Sequence, residues 1–232
     1  MVKQNQSTGF SAHRSVKREI HALTGKAKES LLPPNVVLVV HKPGHQILRP
    51  AIEEVYRRYG ITSLHMKPRR FTPSMVKHNY KQVIRKLRER IPDIEAKLLE
   101  AYSSTGSRDH NIAVELVHIP QSAIDQVKAK DAWDAIKKIA GKTDPVKAHE
   151  DMAEAGAFTI RGNAFRRYGD SHPDIINNTL NAVHVPDPVT RAVEQRHLTG
   201  RWPDLALFTT VPMLLAAKKK YNELKAQGKL HG

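Results

Sequence analysis

The run Val36-Val37-Leu38-Val39-Val40, followed by His41-Lys42-Pro43-Gly44, is continuous, apolar and mostly β-branched until a proline and a glycine break it. It reads as a buried central strand that ends in a turn. Toward the C-terminus, Ile52, Val55, Tyr56 and Tyr59 fall at helical spacing, which predicts a helix over about 50–59 with Pro50 in its first turn. Ile61 to Met66 is expected to be a second strand. Thr72-Pro73-Ser74 marks a helix start, and Met75, Tyr80, Val83, Ile84, Leu87 and Ile91 continue the pattern; a further helix is expected from Pro92 to Tyr102. After a loop over Ser103 to His110, Asn111 to Ile119 reads as a third strand and Gln121 to Ala140 as a helix stopped by Gly141. Lys142 to Thr159 reads as a long loop, a length that usually serves function. The last strand is expected at Ala182-Val183-His184. This order fits an α+β domain, a split βαβ sandwich of a four-stranded antiparallel sheet with helices on one face.

The chain divides into a basic N-terminal extension over 1–35, a core domain over 36–200 and a helical C-terminal extension over 201–232. The first extension has a polar start and a short basic helix over Ser15 to Leu32, stopped by Pro33-Pro34. In the last, Leu207, Phe208, Val211, Leu214 and Leu215 suggest a covering face that Pro212 splits in two. Lys plus Arg number 38 against 23 acids, a formal charge of +15, and the excess at both ends suits contact with a polyanion. An ordinary solvated basic surface explains the charge equally well. With no cysteine, disulfides, thiolate nucleophiles and Cys-containing zinc sites are excluded. No apolar run approaches the roughly 20 residues of a membrane span. A cytoplasmic protein is the default, and an acid-poor start whose first acid is Glu19 also suits an organelle such as the mitochondrion.

Three stretches carry chemistry: Lys42-Pro43, Thr159-Ile160-Arg161-Gly162-Asn163, and Asn181-Ala182-Val183-His184-Val185-Pro186-Asp187. One histidine among 13 says little, but an imidazole preceded in order by two cations and an amide suggests an enzyme that works through phosphohistidine. A neutral imidazole attacks phosphorus near neutral pH, and phosphoryl transfer otherwise needs cations around the equatorial oxygens. The fork of Arg161 suits phosphate oxygens.

With Thr143-Asp144-Pro145 added, these stretches resemble the nucleoside diphosphate kinase family. That family shows a strand ending in Lys-Pro, then Thr-Asn-Pro, Thr-Ile-Arg-Gly-Asp and Asn-x-x-His-Gly-Ser-Asp. The resemblance covers about residues 36 to 197. It implies a ferredoxin-like fold and ping-pong transfer of a γ-phosphoryl group from a nucleoside triphosphate to a diphosphate, through phosphohistidine at His184. Lys42, Lys137, Thr143 and Arg161 would bind phosphate, Asn181 would read the ribose hydroxyl, and Tyr80 would pack beside His184 and Lys42. Mg²⁺ would ride on the nucleotide phosphates, and a homo-oligomer is implied. Lys137 reads equally as a solvated helix face, and Tyr80 as core.

Departures from the pattern include longer segments between Thr143 and Arg161 and between Arg161 and Asn181, and changes beside the histidine. Val185-Pro186 replaces Gly-Ser after the histidine, and the supporting glutamate falls at Gln195, or at Glu194 with a one-residue slip. They motivate a second reading, a catalytically degenerate domain that binds nucleotide or nucleic acid, inside a larger assembly.

Overall fold

The computed structural model describes residues 31–70, 72–103, 112–177, 180–185 and 209–230. The expected helix at Ser15 to Leu32 lies almost entirely outside them, as do Pro186, Glu194, Gln195, Leu207 and Phe208.

The four described strands are β1 (Val36–His41), β2 (Thr62–Arg69), β3 (Ile112–His118) and β4 (Val183–His184). They form one antiparallel sheet in the order β2-β3-β1-β4, so the sheet is ferredoxin-like in its strand order. Every residue of β1 and β3 is buried. Because successive side chains point to opposite faces, both faces of the sheet are covered, in contrast to the one-sided cover expected from the element order. On one face lie His41 and Glu115, met by helix α1 (His45–Tyr59) through Arg49 and Tyr56. Across the other face, register aligns Lys67, Val114, Val40 and His184 in one row.

That second face is covered by α2 (Pro73–Asn79), α3 (Lys81–Leu87) and α4 (Ile94–Ser103), whose Tyr80 and Tyr102 reach the site, and by a C-terminal helix, α9 (Val211–Ala226). The Tyr221 ring of α9 meets His118 edge-on at 5.5 Å. Pro212 occupies the first turn of α9 and does not split it, because a proline there gives up only an N–H that has no helical partner. Met213, Leu214 and Ala217 form its buried seam.

Other boundaries also move. Helix α1 starts at His45, so Pro50 lies inside it, and β2 runs to Arg69 through Pro68, tolerated because β2 is an edge strand. The expected helix through Ile91 breaks at Tyr80 into α2 and α3. Gln121–Ala140 breaks into α5 (Gln121–Gln126) and α6 (Ala132–Ala140), where Lys128 takes φ 51 and Asp131 caps α6 by accepting from the Asp134 N–H. The expected loop after Lys142 contains α7 (Pro145–Ala155). Asp144 caps it by accepting from the Val146 and Lys147 N–H groups, with Pro145 in the first turn, a start signal that was present in the sequence.

Candidate functional site

The site forms where β1 stops beside β4. The Lys42 N–H donates to the Ala182 carbonyl at 2.9 Å, carrying the pairing one residue past β1. The turn that follows needs Gly44, at φ 84, where a Cβ would lie 2.8 Å from the Cβ of Ile175. Lys42 is thereby pointed inward, and its Nζ donates to Asn181 Oδ1 at 2.9 Å. Asn181 Nδ2 in turn donates to the main-chain carbonyl of Thr143 at 2.6 Å. Thr143 itself is exposed and meets Asn181 through its backbone, where the resemblance implied a hydroxyl contact with phosphate.

Arg161 comes from α8 (Ile160–Tyr168), whose first turn is capped by Thr159 Oγ1 accepting from the Gly162 N–H at 3.2 Å. Gly162 allows α8 to press on α7, since a Cβ there would lie 2.6 Å from the Ala148 carbonyl oxygen. Asn163, fully buried, ties α8 to α1 by donating to the Ala51 carbonyl at 2.8 Å. So placed, the Arg161 guanidinium donates to the Gly141 carbonyl, and to the Val183 carbonyl at 2.9 Å. Its Nε is buried without a hydrogen-bond partner among the described residues.

The peptide segment that carries His184 is itself strained. Ala182 adopts φ 69, a left-handed conformation uncommon outside glycine, and the Val183 N–H donates back to the Asn181 carbonyl at 2.9 Å, closing a γ-turn. The His184 ring packs against Tyr80 with centroids 6.3 Å apart, and its Nε2 is shielded from solvent. Tyr80 shares a short hydroxyl–hydroxyl contact with the buried Tyr102.

Burial, and then the adjacent Arg161 charge, push the Lys42 ammonium well below its ordinary pKa. Burial likewise lowers Arg161 to about 10, against a smaller opposing effect from Tyr80. Two desolvated cations side by side favour an anion between or beside them.

Lys42, Tyr80, Arg161 and Asn181 therefore gather around the β4 segment of His184, with the Thr143 backbone behind Asn181. Lys137 is exposed on α6, its ammonium 5.0 Å from the Trp133 ring centre. Val185, directly after the histidine, is buried. Among the described residues there is no group of three or more His, Cys, Asp or Glu suited to a metal ion, and no helix is long and apolar enough to cross a membrane.

Sequence reading missed two features. Tyr102 is one, hidden as an ordinary apolar-stripe residue at a helix end. The other is Glu115, fully buried on the opposite face, which accepts from Tyr56 at 3.1 Å and Arg49 at 3.1 and 3.2 Å and meets His41 Nε2 at 2.6 Å. A lone carboxylate in the apolar run Ile112-Ala113-Val114-Glu115-Leu116-Val117 was the available signal.

No protein-family model matches this chain, and no curated protein matches it. Among solved structures, it is similar to a halophilic nucleoside diphosphate kinase from Halobacterium salinarum in complex with CDP. The match has 17% identity and a TM-score of 0.44, covering 78% of this chain and 91% of that one. This is a distant likeness, from which nothing about this chain's residues or reaction follows.

Proposed function

We propose that this protein is a nucleoside diphosphate kinase that moves a γ-phosphoryl group through His184. The observation that carries the reading is the meeting of the buried Lys42 and the half-buried Arg161 with Asn181 on the strained segment that leads to His184. Nε2 is shielded from solvent, which supports Nδ1 as the nitrogen that would meet an incoming phosphate. Its lone pair attacks the γ-phosphorus, the bond from phosphorus to the β,γ-bridging oxygen breaks, and that electron pair leaves with the diphosphate. In the second half, a terminal oxygen of another diphosphate attacks the same phosphorus and the N–P bond returns its electrons to the imidazole. Lys42 and Arg161 balance charge on the transferring group, which requires both to turn from their present acceptors toward phosphate oxygens. Asn181 would then be free to read a ribose hydroxyl, and Tyr80 holds the imidazole plane.

Magnesium fits as a passenger of the nucleotide. The groups around His184 are cations, an amide and a phenol, which suit phosphate oxygens, so the metal would be held by the phosphates and would neutralise their charge. Thr143 and Lys137 would meet the nucleotide at the rim, and a homo-oligomer remains part of the proposal.

The test is incubation with γ-labelled ATP. The wild-type chain should take up acid-labile, alkali-stable label and pass it to a second diphosphate, whereas His184→Ala should take up none. Label that survives in His184→Ala, or its absence from the wild type, defeats the proposal.

A second reading is a domain that binds nucleotide without turnover. The engagement of Arg161 with two backbone carbonyls and of Lys42 with Asn181 favours it, since these side chains already hold the site together. Saturable ATP binding with no labelling would select this alternative.

A further inference from the structure

Residues 67–90 carry nine Lys and Arg residues against a single acid, Glu89, more than half of the chain's +15. The sequence places charge excess at the two ends, but the described core contains this larger one, and the fold arranges it. Along α3 and its two cap residues, Tyr80, Ile84 and Leu87 pack on the core, which leaves Lys81, Arg85 and the C-cap Arg88 exposed at i, i+4 and i+7. Such positions stand roughly 5–6 Å apart in a single stripe. Glu95 feels the charge of Arg88 but already bridges to Lys77 at 2.7 Å. Edge strand β2 adds Lys67, exposed and in the same cross-sheet row as His184. Three strand spacings put it about 14 Å from that histidine.

We infer that the stripe of Lys81, Arg85 and Arg88 along α3 binds the sugar–phosphate backbone of a nucleic acid. A row of like charges at this spacing follows one strand's phosphates, and the stripe starts next to Tyr80, so the strand would pass the mouth of the His184 site. Among the described residues, this surface lacks the exposed apolar side chains that insert into a membrane. The exposed large apolar side chains among the described residues are Ile47, Met66, Val146, Val211 and Leu215, none of them within 67–90. The inference stands apart from the phosphohistidine reading and does not require turnover.

The test uses the full chain and fluorescence anisotropy with labelled 20-mers: single-stranded RNA, single-stranded DNA and duplex RNA, titrated across salt concentrations. A triple variant, Lys81→Gln, Arg85→Gln and Arg88→Gln, removes three charges from the stripe. Lys218→Gln, Lys219→Gln and Lys220→Gln remove three from exposed positions of α9. At ~0.7 per phosphate contact on a single strand, the stripe variant should lose about 2 from the slope of log K against log salt, equivalent to about 100-fold in affinity at 0.1 M salt. The α9 variant should keep the wild-type slope, and the double variant Arg85→Gln, Arg88→Gln should show an intermediate loss, which guards against a folding artefact in the triple. The oligonucleotide that shows the largest stripe-dependent loss identifies the natural class. Equal losses in the two triple variants, no binding at 50 mM salt, or binding only to phosphatidylserine vesicles would overturn the inference.

Discussion

Ala182 and Glu115 show how single residues set the site from its two sides. Ala182 holds the left-handed turn that delivers Val183 and His184, at a steric cost of roughly 1–2 kcal/mol for a residue with a Cβ. Ala182→Gly removes that cost while adding freedom to the unfolded chain and giving up a buried methyl, so a change within about 0.5 kcal/mol is expected in urea denaturation; a loss above about 1.5 kcal/mol would mean the turn is not strained. Glu115 lies behind β1 on the opposite face. Burial acts to raise its pKa, but the hydrogen bond and charge of His41, and then the charge of Arg49, prevail and hold it down to about 2. His45 is lowered to about 4, first by burial and then by His41. Both groups have depressed folded pKa values, so each contributes stability above its unfolded value that is lost as pH falls. Stability should decline first between about pH 6.5 and 4 as His45 must charge, and again from about 4.5 to 2 as Glu115 is protonated. Urea midpoints across pH check this, and His45→Gln should shrink the upper step, to which His118, also lowered by burial, contributes, while leaving the lower step unchanged. Glu115→Gln should cost about 3 kcal/mol at neutral pH, because Arg49 would lose its buried carboxylate partner and keep only the exposed Glu53.

Helix starts decide most at the level of elements. Thr159 stops the preceding chain and opens α8 so that Arg161, two residues on, faces Val183; Thr159→Ala should cost about 1 kcal/mol by loss of its cap. Gly162→Ala should cost more, roughly 1–3 kcal/mol, because its methyl meets a backbone carbonyl that cannot rotate away. Thermal melts of the two variants compare these directly, and a smaller effect for Gly162→Ala would show that α7 and α8 slide apart freely. The same element shows what was legible in advance. Thr159-Ile160-Arg161-Gly162-Asn163 stood out as a unit, but its glycine and asparagine prove to be packing devices: one lets α7 approach and the other pins α8 to α1. Local capping rules would have found α7 from Asp144-Pro145; the polar face of that helix, short of apolar periodicity, concealed it.

At the scale of the whole molecule, α9 completes the cover of the sheet. Leu214, fully buried, should cost about 3 kcal/mol when truncated to alanine, whereas exposed Leu215→Ala should be near neutral, a contrast measurable by denaturant titration. The continuous β-branched run of β1 marked a central strand, the motif order marked which residues to watch, and the cysteine count excluded whole chemistries, all because these depend on local pattern and composition alone. Strand order, burial of both sheet faces and the breaks at Tyr80 and Lys128 came only with the tertiary structure, since they depend on which long-range surfaces meet. So did the bond from Lys42 to Asn181, 139 residues apart in the chain, and the exposed row of positive charge along α3. Sequence named the candidate groups; only folding could bring two cations out of water beside one histidine, where desolvation makes an anion the natural occupant.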